Sequence, residues 1–285
     1  MASVKLKGYF SALCANHPLF QLLKNDNPAW WQFIKENIKP GGFYVDIRKD
    51  NSLNVYYNGG SLLKITLSRS KEISCKIHEY YLERTGAKYV NYNPNCLPES
   101  ADAIKKKIAS RYGDTSESGI KARLVCDPNA KYIDSEFAYP KANGMKKDKE
   151  GKDVAKYETI RIDLTKLQNG KIVFVELKRM QDGRLLTNEY ENGEPEILDQ
   201  MEKYHSFIKD HKSDITNYYK TLFSIKHDLG ILPKSLGNIN NIDDYELNEK
   251  VELFIEPYLE LNPKRVRRIE AIRTIFNKNG IIHNL

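Results

Sequence analysis

Cysteine is scarce in this sequence and shows no pairing pattern. The four cysteines are scattered over the first 126 residues and form no CxxC pair. We therefore expect neither a zinc site nor a disulfide framework, as is usual in a reducing compartment. Apolar runs are short: none approaches the roughly 20 residues of a membrane-spanning helix, and the N-terminal segment lacks the apolar core of a secretory signal. These absences predict a cytoplasmic protein without a membrane partner.

Common catalytic signatures are missing as well. The sequence contains no GxxxxGK[ST] phosphate-binding loop, and its six histidines form no HExxH zinc motif. The composition is that of a folded protein, because 40% of the 285 residues are hydrophobic. The 45 basic residues outnumber the 38 acidic ones and give a net charge of +7. This charge permits a polyanionic partner without requiring one.

The predicted elements mix helices and strands, which favours an α/β or α+β fold with a mixed sheet. We expect a small N-terminal α+β module over residues 1–85 and a second domain over residues 86–285. The module contains a helical pattern at His17–Ile38 and strands at Phe43–Arg48, Leu53–Tyr57 and Leu62–Leu67. The second domain is predicted to contain, in order, the helix Glu99–Ser110, the strand Lys131–Tyr139, a lysine-rich loop Lys141–Lys156, a β-hairpin Tyr157–Lys178, the helices Pro195–Lys209 and Ser213–Asp228, the strand Val251–Ile255 and the basic helix Pro263–Asn277.

The turn of the predicted hairpin determines which residues of its two strands are paired. Asn169-Gly170 lies between two β-rich runs and is a strong signal for a two-residue turn. With this turn Gln168 pairs with Lys171, so that Asp163 lies opposite Glu176. Side chains alternate along a strand, and Lys178 therefore shares the face of this acid pair. The other face is apolar and carries Ile160, Ile162, Leu164, Val173, Val175 and Leu177.

Two acids opposite each other on paired strands require an explanation, because like charges in this position are destabilising. At about 5 Å and an effective dielectric near 20, their repulsion is about 3 kcal/mol. A divalent cation between the carboxylates would turn this repulsion into a binding site, since hard cations prefer carboxylate oxygens. Alternatively, the face is solvated, and the diagonal pairs Asp163–Lys178 and Arg161–Glu176 neutralise it. The hairpin by itself leaves both interpretations open.

Asp163 followed by Glu176-Leu177-Lys178 resembles the catalytic core of the PD-(D/E)xK nuclease superfamily. The triplet acid-x-Lys is weak alone, and the chain contains two further copies, Glu150-Gly151-Lys152 and Asp210-His211-Lys212. Neither copy follows an apolar strand or faces a partner acid. Only the triplet at Glu176 has this context, which makes it the specific match.

A second element strengthens the resemblance. Gln200 and Tyr204 form a QxxxY pattern on the predicted helix Pro195–Lys209, where residues four apart share a face. The pattern is similar to the additional motif of the RecB-type and lambda-exonuclease-like branch, which lies beside the active site. Alternatively, Tyr204 only belongs to an apolar stripe with Ile197, Met201 and Ile208.

The resemblance implies a restriction-endonuclease-like core with a mixed central sheet flanked by helices. It also implies Mg²⁺-dependent hydrolysis of phosphodiester bonds, with Mn²⁺ as an alternative metal. Lys178 would position or deprotonate the attacking water, and Gln200 and Tyr204 would organise the site or hold a phosphate. The implied metal ligands are Asp163, Glu176 and the backbone carbonyl of Leu177.

A third carboxylate commonly joins this constellation from an upstream element. Glu136 is our candidate, with Asp134 on the same face if this segment is a strand, and Glu99 is another. Alternatively, Glu136 is a solvated or ion-paired strand residue.

The expected function is therefore that of a nuclease. DNA is favoured over RNA as the substrate without RNA being excluded, and exonuclease and endonuclease activity are both open. We expect nucleic-acid affinity to come from basic residues outside the site. A nucleic-acid-binding protein that keeps the fold without appreciable catalysis is the alternative, and an interaction protein without a nucleic-acid partner is a third. The basic groups are Lys105–Lys107, Lys146–Lys152, Lys264, Arg265, Arg267 and Arg268.

Overall fold

A computed structural model describes residues 8–82, 86, 88–147, 153–186 and 195–285. The chain divides into two compact units. The first comprises the residues up to Ser135 together with Thr216–Tyr245, and the second comprises Glu136–Ile215 together with Glu246–Leu285. The predicted α+β class is confirmed, because helices accompany one antiparallel and one mixed sheet. Within the described residues, no helix combines the length and the apolar character needed to cross a bilayer.

The sheet of the first unit is an antiparallel meander of five strands in sequence order. Its second hairpin turns at Asn58-Gly59, where both residues have the positive φ that a two-residue loop requires, 46° and 80°. The strands are β1 (Phe43–Ile47), β2 (Leu53–Tyr57), β3 (Gly60–Leu67), β4 (Ile73–His78) and β5 (Tyr89–Asn91). Because β5 pairs with β4, the first unit continues past the predicted boundary between residues 85 and 86. The division at that boundary therefore has to be corrected.

Helices of the first unit both precede and follow this sheet in the sequence. The pattern at His17–Ile38 forms two helices rather than one, because Asn27 adopts a φ of 38° and Pro28 cannot continue the first helix. Trp30 and Trp31 are buried on the second of them. The helices are α1 (Pro18–Asn25), α2 (Ala29–Glu36), α3 (Leu97–Arg111) and α4 (Glu117–Val125).

The second unit is built on a mixed sheet in the order β11-β10-β8-β7-β6, with β9 also paired to β8. β8 is antiparallel to β7 and parallel to β10. The strands are β6 (Tyr132–Lys147), β7 (Asp153–Gln168), β8 (Lys171–Arg179), β9 (Glu246–Leu247), β10 (Glu252–Glu256) and β11 (Ile282–His283). Most of the predicted loop Lys141–Lys156 is therefore strand. Backbone hydrogen bonds, which need no apolar side chains, account for this difference. The triplet Glu150-Gly151-Lys152 lies outside the described residues.

The predicted hairpin register is confirmed where β7 and β8 pair. Asn169 and Gly170 form the turn with φ of 51° and 73°. The ladder starts at Gln168–Lys171 and continues to Leu164–Val175. One step further along the strands lie Asp163 and Glu176.

A helix covers the polar face of this hairpin. The helices that involve the second unit are α5 (Glu196–Asp210), α6 (Lys212–Leu229, which continues into the first unit) and α7 (Pro263–Lys278). On α5, Phe207 packs against Phe137 of β6 at 6.0 Å between ring centroids, and Phe137 packs against Phe174 of β8 at 5.2 Å. Side chains alternate along β8, so Glu176 and Lys178 share the face of Phe174. The helix therefore lies over the carboxylates.

A cluster of buried charges lies in the first unit. Asp46 Oδ1 is 3.2 Å from the Lys226 ammonium, and Asp134 Oδ2 accepts a hydrogen bond of 3.2 Å from the Tyr219 hydroxyl. Asp134 Oδ1 has no hydrogen-bond partner among the described residues. Burial, with the charge of Asp46, raises the pKa of Asp134 to about 7, although Arg48 and Lys226 lower it. The cluster thus couples two buried acids to two basic side chains.

Candidate active site

Three elements of the second unit contribute the side chains of the candidate site. β8 carries Glu176 and Lys178, β7 carries Asp163, and α5 carries Gln200 and Tyr204. The structure brings these five predicted residues together. Asp163, Glu176 and Lys178 are exposed by only 7%, 3% and 2%. These three side chains are therefore buried, and the interpretation as a solvated face is wrong for them, although Arg161 on the same face is exposed.

The Glu176 carboxylate is held by one of its two oxygens. Oε1 accepts hydrogen bonds from the Gln200 amide, at 2.7 Å, and from the Lys178 ammonium. Oε2 is buried and has no hydrogen-bond partner within the described part of the chain. A buried oxygen without a partner lowers the free energy of unfolding, because no hydrogen bond replaces those that it makes to water in the unfolded chain. A bound cation would satisfy it.

The Lys178 ammonium lies among the groups that the resemblance assigns to a metal. It donates to Glu176 Oε1 and, at 3.1 Å, to the Leu177 carbonyl. A cation in the site would therefore share these ligands with the ammonium or displace it from them.

Asp163 is oriented by the backbone of the neighbouring strand. Its Oδ2 accepts a hydrogen bond of 3.0 Å from the Leu177 N–H. This contact fixes the Asp163 carboxylate across the hairpin from the segment Glu176–Lys178. The predicted proximity of the two acids is consistent with the pKa of Glu176, which the charge of Asp163 raises.

Gln200 and Tyr204 form a chain of hydrogen bonds that ends at the backbone of β7. The Gln200 amide donates to the Tyr204 hydroxyl, at 2.6 Å, as well as to Glu176. The Tyr204 hydroxyl in turn donates to the carbonyl of Arg161. Tyr204 also lies in the buried stripe with Ile197, Met201 and Ile208. Tyr204 therefore packs in the apolar stripe and also contacts Gln200 beside the carboxylates.

Apolar residues of β10 line the site, and sequence reasoning missed them. The parallel register places Leu253 beside Glu176 and Ile255 beside Lys178, and both are buried. The sequence predicts β10 as a strand but contains no signal for its pairing with β8, which lies some 80 residues away. The sequence also does not predict that the Arg161 carbonyl accepts a hydrogen bond from Tyr204. Every residue has a backbone carbonyl, so the residue type does not indicate which one is used.

Burial raises the pKa of two residues of the site. It raises the pKa of Glu176, and the Asp163 charge raises it further, to about 7, although Lys178 and Gln200 lower it. Burial is also the largest cause that raises the pKa of the Tyr204 hydroxyl. A divalent ion would stabilise the ionised form of the Glu176 carboxylate, whose pKa burial and a neighbouring acid raise.

The third carboxylate is not brought to the pair. The side chain of Glu136 is exposed, whereas that of Asp134 is buried. Glu136 has a φ of 59°, and this left-handed conformation interrupts the alternation of side chains along β6. Glu99 lies in the first turn of α3, in the first unit. Within the ranges that the structure describes, no group of three or more His, Cys, Asp or Glu is arranged to hold a metal ion. A metal in the site would rely on two carboxylates and the Leu177 carbonyl, together with water or substrate oxygens.

No protein-family model, no curated protein and no solved structure matches this chain.

Proposed function

We propose that this protein is a Mg²⁺-dependent nuclease that hydrolyses phosphodiester bonds, in DNA rather than RNA, in the cytoplasm. The observation that carries the proposal is the buried Glu176 Oε2, which has no hydrogen-bond partner among the described residues and belongs to the carboxylate that also binds Lys178. An unpartnered buried oxygen lowers stability, and a cation beside the acid pair Asp163–Glu176 would offset that cost.

The roles of the residues follow from their contacts. Asp163, Glu176 and the Leu177 carbonyl would hold Mg²⁺, or Mn²⁺ in its place. The bound ion would supply positive charge to phosphate oxygens and acidify a water. Lys178 would stabilise negative charge on the phosphate or position the water. Gln200 keeps the Glu176 carboxylate in one orientation, and Tyr204 keeps Gln200 in place through the Arg161 carbonyl.

The test is cleavage of labelled single-stranded and double-stranded DNA and RNA in Mg²⁺, in Mn²⁺ and in EDTA. We expect cleavage that requires the metal and that falls at least about a hundredfold in Lys178→Met, which keeps the volume of the buried side chain. Lys166→Met is the matched control, because Lys166 also forms an ion pair, with Glu252 at 2.6 Å, but lies on the other face of the hairpin. Metal-independent cleavage, or equal loss in both variants, would contradict the proposal.

One observation favours a second candidate. The Lys178 ammonium forms an ion pair with Glu176 and offsets its charge, as a nuclease-like fold that only binds nucleic acid would require. Such a protein would bind the same oligonucleotides and leave them intact in Mg²⁺ and Mn²⁺. Binding without cleavage in this assay would therefore select the second candidate.

A further inference from the structure

The loop that follows β10, residues 257–262, leaves the sheet at the edge where the candidate site lies. Parallel strands end at the same edge, and Ile255 of β10 is paired with Lys178 of β8. Beyond that pair, the Met180 N–H donates to the Glu256 carbonyl at 3.0 Å. The Cα of Leu259 lies at most about 19 Å from that of Lys178, since paired strands are about 4.8 Å apart and four extended residues span at most about 14 Å. This is within about six base-pair steps of a duplex.

The tip of this loop is apolar and exposed. Leu259 is 88% exposed and Leu261 is 64% exposed, and they are the two most exposed large apolar residues of the described chain. Val266, on the first turn of α7, adds a further 38% exposed side chain. Scattered exposed apolar residues need no explanation, but a group of them indicates an interaction site.

The loop is held in shape by its own contacts. The Arg265 guanidinium lies 4.9 Å from the centre of the Tyr258 ring and donates to the Glu260 carbonyl at 2.7 Å. The Asn262 side chain accepts a hydrogen bond of 2.9 Å from the Arg265 N–H and caps α7. The two leucines are therefore presented on a preformed loop.

The surroundings of the leucines are basic. Residues 257–268 contain four basic residues and one acidic residue, Glu260. Lys264 and Arg267 are exposed next to the loop. An apolar tip beside exposed cations is complementary to nucleic acid, in which apolar bases lie between phosphates. A helix that lies in a membrane surface would instead expose a continuous apolar face, whereas on α7 Ile272 and Phe276 are buried.

We propose that the loop 257–262 is a wedge that unstacks the bases of duplex DNA. Leu259 and Leu261 enter the base stack, and Lys264 and Arg267 bind the adjacent phosphates. The unstacked step lies within about six base pairs of the bond to be cut. The proposal rests on the proposed function, because it takes the site at Lys178 as the point of cleavage.

The test uses duplex DNA that carries 2-aminopurine at successive positions from one end, with the full chain in EDTA so that no strand is cut. At saturating protein, we expect the 2-aminopurine fluorescence to rise at least twofold at one or two positions. The variant Leu259→Ser/Leu261→Ser should lose this rise. Ile282→Ser is the matched control, because it removes a 42% exposed apolar side chain elsewhere in the same unit. Lys264→Ala/Arg267→Ala should weaken binding but keep the rise at saturation.

The outcomes separate this proposal from the proposed function. The wedge is supported if the 2-aminopurine fluorescence fails to rise in the leucine variant but rises in the wild type and in Ile282→Ser. This holds even if no variant cleaves DNA in Mg²⁺. Binding without a rise, or an equal rise in the leucine variant, overturns the wedge, even if Mg²⁺-dependent cleavage is found. Binding of the protein to phosphatidylserine vesicles that requires the leucines, with no rise on DNA, overturns it in favour of a membrane surface. Equal melting temperatures exclude misfolding of the variants.

Discussion

Gln200 donates a hydrogen bond to Glu176 Oε1, the same carboxylate oxygen that the Lys178 ammonium binds. Both donors therefore act on one side of the carboxylate, and Oε2 remains without a hydrogen-bond partner in the described structure. Because the amide is itself tied to Tyr204, the orientation of Glu176 is fixed from α5. This relationship gives the glutamine a positioning role in the proposed reaction.

Replacement of Gln200 by leucine should lower Mg²⁺-dependent cleavage by about 10-fold to 100-fold, as the loss of residues that orient metal ligands does elsewhere. The Mg²⁺ concentration for half-maximal rate should rise, which a purely structural role would not cause. Gln168→Leu is the control, since Gln168 is exposed at the end of the same hairpin. An unchanged Mg²⁺ dependence in Gln200→Leu would show that the glutamine does not orient the ligand.

Asp134 predicts a pH dependence of stability in the first unit. Its pKa in the folded chain is about 7, against 3.8 for an unperturbed aspartate. Between these pH values the folded state binds more protons than the unfolded state, so the free energy of unfolding falls as the pH rises. The groups that interact with Asp134 in this cluster include Asp46, Arg48, Lys226, Tyr218 and Tyr219.

In the variant Asp134→Asn, the free energy of unfolding should not show this fall with rising pH, because the amide does not titrate. Its oxygen can still accept the hydrogen bond from Tyr219. Relative to the wild type, the variant should gain at least about 1 kcal/mol between pH 5 and pH 8, since one pKa unit corresponds to about 1.4 kcal/mol. Urea unfolding at several pH values measures the difference. Parallel stability curves for the two proteins would show that Asp134 is ionised across this range.

Arg267 and Arg268 are adjacent but should have different roles. Arg268 donates to three backbone carbonyls of the segment after β8, those of Met180, Asp182 and Leu186. Arg268→Lys keeps the charge but loses the planar fork, and we expect it to lower the free energy of unfolding by about 1–3 kcal/mol. Arg267 is exposed, so Arg267→Ala should leave stability unchanged and lower the salt slope of DNA binding by about one. The reverse pattern in chemical unfolding and salt titration would contradict this assignment.

The local features of the site could be predicted from the sequence, and its surroundings could not. Asn169-Gly170 set the hairpin register, and the spacing of Gln200 and Tyr204 placed both on one helix face. The hairpin left a solvated face and a cation site both open, because nothing in its own residues indicates that α5 lies over it. Glu136 broke the alternation of β6 by a positive φ, for which the sequence gives no signal when the residue is neither Gly nor Asn.

The most direct test of the metal site is the effect of Mg²⁺ on thermal unfolding of the wild type and of Asp163→Asn. In EDTA, the variant should be at least as stable as the wild type, because the repulsion with Glu176 is removed while an amide oxygen can still accept from Leu177. At a Mg²⁺ concentration of about ten times Kd, the wild type should gain about 1.4 kcal/mol, which corresponds to a rise of about 3–6 °C in Tm. The variant should show little or no rise, whereas the control Asp199→Asn, at an exposed position of α5, should rise like the wild type. An equal rise in the wild type and Asp163→Asn, or strong destabilisation of Asp163→Asn in EDTA, would contradict a divalent cation between Asp163 and Glu176.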